Sequence, residues 1–158
     1  MRKFGIIGYP LAQSASPAFF NGKFADEGID ARYIPFEIES IEELPRILEE
    51  NPELCGFNVT IPYKQQVFPF LDELDPAART IGAVNVVKVT RNGGRLHLKG
   101  YNTDHIGFAD AIRPLLRPHH THALILGTGG ASKAVNYALQ QLGLVTQHVS
   151  RTSREGII

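Results

Sequence analysis

The 158-residue sequence predicts an α/β fold: a three-layer αβα domain on a mixed, mostly parallel sheet, running into a second, shorter strand–helix–strand unit. Two observations predict it. Short apolar runs of strand character alternate with amphipathic helical stretches, the pattern of parallel strands joined by helical crossovers. One pair of runs is separated only by Asn92-Gly93-Gly94, residues suited to a left-handed hairpin turn, so the sheet is expected to be mixed.

Strands are expected at residues 3–8, 32–37, 56–60, 85–91, 95–101, 123–127 and 146–150. Helices are expected at 17–27, 45–51, 63–71, 76–81, 105–116 and 131–142. Ser16 and Pro17 suit the N-cap and first position of the first helix. Pro62 suits the first position of the helix over 63–71, which places Lys64 in its first turn. Asp104 suits the N-cap of the helix over 105–116, whose Phe108, Ile112, Leu115 and Leu116 recur at i, i+4, i+7 and i+8 as a buried stripe. The polar run Arg117-Pro118-His119-His120-Thr121 then marks a boundary between a domain at 1–117 and a second at 121–158. A dinucleotide-binding sheet has about six strands, so the second domain is expected to be truncated.

Lysine plus arginine equals aspartate plus glutamate, at 16 each, which gives no reason to expect nucleic acid or an anionic membrane as a partner. No apolar run approaches the roughly 18 residues that span a bilayer. The start, Met1 to Pro10, reads as a strand and not as a signal peptide. The lone Cys55 forms no internal disulfide and is expected to be buried; a reducing, cytoplasmic location follows. His119, His120 and His122 lack a matching ligand spacing, so no metal is expected.

Gly127-Thr128-Gly129-Gly130-Ala131 follows a strand and opens a helix. Its glycines suit a tight turn, and the helix N-terminus offers free N–H groups to a pyrophosphate. Ser132 stands where the general pattern has a third glycine. Ala131, Ala134 and Ala138 would let that helix pack closely on the sheet. About 20 residues on, where NAD-binding chains carry a carboxylate, this sequence has Ser150, Arg151, Thr152, Ser153 and Arg154. Two guanidiniums and several hydroxyls suit a 2′-phosphate, so NADP is preferred to NAD.

Four further places carry chemistry. Ser14 and Ser16, two hydroxyls spaced i, i+2 beside a helix N-terminus, suit a carboxylate as well as a helix start. Lys64, disfavoured as a cation by the macrodipole of a first helical turn, suits proton transfer or simple solvent exposure. Asp104, at a strand-to-helix junction, is either a plain cap or the lysine's partner. Asn85 reads a hydroxyl or satisfies a turn.

In order, these motifs resemble one family, the shikimate dehydrogenases, over essentially the whole chain. Gly8-Tyr9-Pro10 through Ser14-Ala15-Ser16-Pro17 resembles the family's first block. Asn58-Val59-Thr60-Ile61-Pro62-Tyr63-Lys64 is similar to its most specific signature. Gly82-Ala83-Val84-Asn85, Asn102-Thr103-Asp104, Gly127–Ala131 and Arg151-Thr152 match later blocks. Gln13, Val86 and Ser150 depart from the usual His, Thr and Asn. The resemblance implies an NADP-dependent reduction of 3-dehydroshikimate to shikimate by a monomer or homodimer. It implies Ser14 and Ser16 on the substrate carboxylate, with Thr60, Asn85 and Asp104 on the ring hydroxyls. Lys64 and Asp104 would be the catalytic pair. The family's nicotinamide-side loop and the last helix, which returns a Gln to the substrate, are expected beyond Ile158. Alternatives are a quinate/shikimate dehydrogenase and a shikimate-binding module without turnover.

Overall fold

The structure, a computed structural model, describes residues 1–150. The elements run β1 (Arg2–Gly8), α1 (Ser16–Asp26), β2 (Ala31–Glu37), α2 (Leu44–Glu50), β3 (Leu54–Val59), β4 (Glu73–Leu74), α3 (Pro76–Ile81), β5 (Val86–Asn92), β6 (Arg95–Tyr101), α4 (Asp104–Ile112), β7 (His122–Leu126), α5 (Gly130–Gln141) and β8 (Val145–Val149). They form two compact units. The first comprises Met1–Asp75 and Val84–Tyr101; the second comprises Pro76–Ala83 and the described residues from Asn102 onward. Among the described residues no helix is long and apolar enough to cross a membrane.

The first unit holds a six-stranded sheet in the order β2-β1-β3-β5-β6-β4. β1 pairs in parallel with β2 and with β3, and β4 in parallel with β6; β5 runs antiparallel to both β3 and β6. The mixed sheet follows from the β5–β6 hairpin, whose turn uses Gly93 and Gly94 at positive φ. From β1 the chain steps one way to β2 and then across to β3. Right-handed crossovers therefore place α1 and α2 on opposite faces, giving three layers. Ile7, Val59 and Val87, on the three central strands, are almost completely buried.

At the β2 edge, Tyr33 presents its backbone outward. Asn21 of α1 takes both groups: its Nδ2 donates to the Tyr33 carbonyl and its Oδ1 accepts from the Tyr33 N–H, each at 2.9 Å. Phe20 stacks on the Tyr33 ring at 4.7 Å. Phe4, Phe20 and Phe24 complete an apolar cluster around Ile6, Leu11 and Tyr33.

Several local expectations are corrected. α1 starts at Ser16 with Ala15 at the cap position, so Pro17 is its second residue and Ser16 caps nothing. The stretch expected as a helix over 63–71 is a run of turns ending in a 3-10 turn at Phe68–Phe70. Two causes act there. The Lys64 carbonyl accepts from the Val84 N–H at 2.8 Å, so the Phe68 N–H turns to Gln65. Pro69 has no N–H to continue an α-helical ladder. Lys64 is therefore not in the first turn of an α-helix, and the macrodipole argument for it lapses.

α4 ends at Ile112 and passes into a 3-10 turn at Arg113–Leu115, because Pro114 has no N–H for the Asp110 carbonyl. The tighter turn puts Leu115 out of phase and 65% exposed, while Phe108 and Leu116 pack on Ile125, Leu139 and Leu144. Asp104 is the first residue of α4, with Thr103 at its cap position. Cys55 is only partly buried, because it is the extra residue where the β1–β3 register shifts. In the second unit β7 and β8 form a two-stranded parallel sheet bridged by α5. Ala131 faces outward; Ala134 is completely buried and packs with Ile81 and Ala83.

Candidate functional site

Strand order reverses at β1, which has β2 on one side and β3 on the other. In open α/β sheets a ligand crevice lies beyond the carboxyl ends of strands at such a switch point. The loop after β1 carries Ser14 and Ser16, and the turns after β3 carry Thr60 and Lys64. Asn85 immediately precedes β5, which is antiparallel to β3, so it comes to the same rim. Five of the expected site residues thus share one edge of the first unit.

Backbone bonds fix that edge. The Thr60 N–H donates to the Ile7 carbonyl at 3.0 Å, and the Tyr9 N–H to the Ile61 carbonyl at 3.0 Å. The Leu11 N–H is held by the Glu37 carboxylate at 2.5 Å, and the Ser14 N–H by the Leu11 carbonyl at 2.9 Å. The peptide bonds Tyr9–Pro10 and Ile61–Pro62 are both cis. Asn85 is 8% exposed; its N–H donates to Tyr101 and its carbonyl accepts from Val59. Its backbone therefore ties β3 to the end of β6.

Lys64 is half-buried between two enclosed anchors. Tyr63 donates its hydroxyl to the Ile38 carbonyl at 2.6 Å, and Val67 is completely buried. The Lys64 carbonyl is bonded to Val84, so the backbone here is locked independently of the ammonium.

A polar chain runs from β2 across β3 to the residue that precedes β5. The Tyr33 hydroxyl donates to Asn58 Oδ1 at 2.6 Å, and Asn58 Nδ2 donates to the Asn85 carbonyl at 3.3 Å. Burial pushes the Tyr33 phenol up to about 12, with the nearby Ser16 side chain acting weakly against it. Sequence reasoning gave neither Tyr33 nor Asn58 a role. Asn58 stood inside the quoted signature, and its polar side chain in a strand interior was the available signal.

Asp104 belongs to the second unit, three residues after β6 ends. Before it, Asn102 is 3% exposed; its Nδ2 donates to the Ala83 carbonyl at 3.0 Å and its Oδ1 accepts from the His105 N–H at 3.3 Å. This amide does the work expected of an Asp104 cap. In the Gly-rich turn, Gly127 has φ +118, a conformation that side-chain-bearing residues rarely adopt. Its N–H donates to Val149 and its carbonyl meets His148 Nδ1, both at 2.9 Å. Above Gly127 and Gly129 the space is open: a Cβ there would meet nothing within 4 Å. Gly129 caps α5, and Ser132 Oγ donates to its carbonyl at 2.7 Å. Thr128, Gly130, Ala131 and Ser150 lie around this turn, whereas Arg151, Thr152 and Arg154 lie outside the described residues.

Residues 6–87 match the family described as the shikimate dehydrogenase substrate binding domain. Among curated relatives, the shikimate dehydrogenase (NADP(+)) of Syntrophomonas wolfei is 44% identical, over 89% of this chain and 47% of that protein. The same-named protein of Aquifex aeolicus is 40% identical, over 98% of this chain and 56% of the relative. The chain therefore spans about half the length of the curated relatives it matches. The crystal structure of the Aquifex aeolicus shikimate dehydrogenase superposes with a TM-score of 0.83 at 40% identity, over 96% of this chain and 56% of that one. Shikimate 5-dehydrogenase from Thermus thermophilus, in complex with NADP(H) and shikimate, gives 0.83 at 36% identity, over 99% and 58%. On the signature around Lys64, the six-stranded sheet and these likenesses, the chain belongs to the shikimate dehydrogenase family through its substrate-binding domain.

Proposed function

We propose that residues 1–117 bind the substrate, and residues 121–158 open the cofactor-binding domain, of an NADP-dependent shikimate dehydrogenase. The reaction is the reversible reduction of 3-dehydroshikimate to shikimate. The observation that carries this reading is the gathering of Ser14, Ser16, Thr60, Lys64 and Asn85 on the rim where the sheet order reverses, in a chain of this family.

The roles follow from chemistry. Ser14 and Ser16 give hydroxyl hydrogens to the substrate carboxylate, next to the N-terminus of α1. Thr60 and Asn85 bond the ring hydroxyls, and Asp104 orients Lys64 and a neighbouring hydroxyl. As negative charge gathers on the C3 oxygen, the Lys64 ammonium stabilises and protonates it; in reverse Lys64 accepts the hydroxyl proton. The open, glycine-rich turn at Gly127 and the free N–H groups at the start of α5 fit a dinucleotide pyrophosphate. Gly127, Thr128, Gly129, Gly130 and Ala131 would hold the pyrophosphate, and Ser150, Arg151, Thr152 and Arg154 the 2′-phosphate. NADP, when bound, supplies or accepts the hydride. A cytoplasmic biosynthetic setting goes with this reading.

The test is NADPH oxidation by the protein in the presence of 3-dehydroshikimate. Lys64→Ala is expected to lower turnover by roughly 10²–10⁴ with a modest change in shikimate affinity. Near-normal turnover in that variant removes Lys64 from the chemistry. Shikimate binding without any NADPH oxidation by the unsubstituted protein reduces the function to binding.

A further inference from the structure

The second unit carries a histidine that the proposed roles leave unused. His148, on β8, is half-buried, and its Nδ1 stands 2.9 Å from the Gly127 carbonyl oxygen. A carbonyl only accepts, so the hydrogen of this bond sits on the imidazole Nδ1. The other backbone group of Gly127 is also taken by β8: its N–H donates to the Val149 carbonyl at 2.9 Å. Two consecutive residues of one strand thus grip both polar groups of a single glycine, whose φ is +118. Thr146, two residues before His148 and so on the same side of β8, fastens the helix that follows the turn. Its hydroxyl donates to Asn136 Oδ1 of α5 at 2.6 Å and accepts from Gln140 Nε2 at 3.3 Å.

The grip on the carbonyl determines where the next N–H points. The cis peptide bonds among the described residues are Tyr9–Pro10 and Ile61–Pro62, so the Gly127–Thr128 peptide is trans. In a planar trans peptide the C=O and the following N–H point in opposite directions. With the Gly127 oxygen turned to His148, the Thr128 N–H is turned away from the imidazole. Thr128 lies outside any helix or strand, and among the described residues its N–H has no acceptor. It is a donor in reserve beside the open space above Gly127 and Gly129.

We infer that His148 is a positioning residue for the cofactor: by holding the Gly127 carbonyl it aims the Thr128 N–H at a phosphate oxygen of the dinucleotide. This rests on the proposed function and adds to it the side chain that sets the donor. His148 touches no phosphate in this account. Without the imidazole hydrogen, the peptide is free to rotate about the permissive glycine and to present its oxygen where the N–H had been. An oxygen facing a phosphate repels it, whereas an N–H makes a charge-assisted bond.

The experiment compares His148→Phe, which keeps a flat ring and loses the hydrogen, with His148→Asn, whose Nδ2 donates from near the Nδ1 position. NADPH affinity is read by calorimetric titration of the full chain, and the Thr128 amide by nitrogen-15 NMR. In the unsubstituted chain the Thr128 amide proton is expected to move downfield as NADPH binds. His148→Phe is expected to weaken NADPH binding about ten-fold, the loss of one charge-assisted hydrogen bond, and to abolish that shift. His148→Asn is expected to stay within about three-fold of the unsubstituted chain. Unchanged NADPH binding in His148→Phe, or equal weakening by both substitutions, overturns the inference while leaving the proposed function standing. An unsubstituted chain that binds no NADPH overturns the cofactor seat and the inference with it. Should the variants not fold, the imidazole nitrogens of the unsubstituted chain decide the matter. Neutral His148 is expected to carry its hydrogen on Nδ1 and the Thr128 amide to move with NADPH; a hydrogen on Nε2, or an unmoved amide, overturns the inference.

Discussion

Tyr33 has a signature of its own in its titration. Burial raises its phenol from 10 to about 12, so the folded chain holds that proton more tightly than the unfolded one. For a raised group the stabilisation is complete below the unfolded value and is lost as pH climbs through the folded one. Denaturant unfolding is therefore expected to show stability falling between pH 10 and pH 12. Tyr33→Phe should lack that part of the fall. An equal decline in both proteins would place the alkaline sensitivity elsewhere. At this scale the sequence was partly legible. Ser14, Ser16, Thr60, Lys64 and Asn85 could be singled out as candidates, because hydroxyls, amides and ammoniums at strand ends announce themselves. Tyr33 was not, because an aromatic in a period-two strand reads as core. Only the fold shows its hydroxyl leaving the apolar cluster.

Among the elements, the approach of β1 to β3 sets the spacing of the rim. Gly8 lies just beyond the last β1–β3 pair, Ile7 with Val59. A Cβ there would run into Thr60 Cγ2, come within 2.8 Å of Leu11 Cδ2 and within 3.1 Å of the Ile61 carbonyl. Gly8→Ala is expected to cost about 1–3 kcal/mol as an overpacking substitution. Because the displaced atom belongs to Thr60, shikimate affinity should fall as well. Urea unfolding and ligand titration check the two effects separately, and a neutral result in both would mean that the strands move apart freely. Elements with clear periodicity and clean caps were readable to within a few residues. The stretch after Lys64 was not. Its helical appearance in sequence yields to a partner 20 positions later, Val84, which takes a carbonyl that the helix needed. The two-residue β4 carries no period at all; it forms because Asp72 and Asp75 bond the backbone of Leu98 and Gly100 on β6. Both cases are tertiary contacts overriding local preference.

For the molecule as a whole, the two units differ in how completely their sheets are closed. The first places β1, β3 and β5 between other strands. In the second, β7 and β8 pair only with each other among the described residues, and Leu126 is 83% exposed. Two-stranded sheets with an open face are marginal on their own. Amide exchange is expected to be faster in β7 and β8 than in β1 and β3, as measured by hydrogen–deuterium exchange of the chain. Equal protection would show that α5 suffices to close the smaller sheet. The α/β class, the hairpin and the Gly-rich unit were visible from alternation and turn residues, whereas the grouping of α3 and α4 with the second unit was not. That grouping depends on side-chain contacts far apart in the chain, such as Ala134 with Ile81 and Ala83. At the β2 border of the larger sheet, the Asn21 amide mimics a passing strand. A bare border of this kind invites a foreign backbone to zip on. Here the helix has plugged the one socket pair that Tyr33 would offer, so the same carboxamide that fastens α1 to the sheet also guards against clumping.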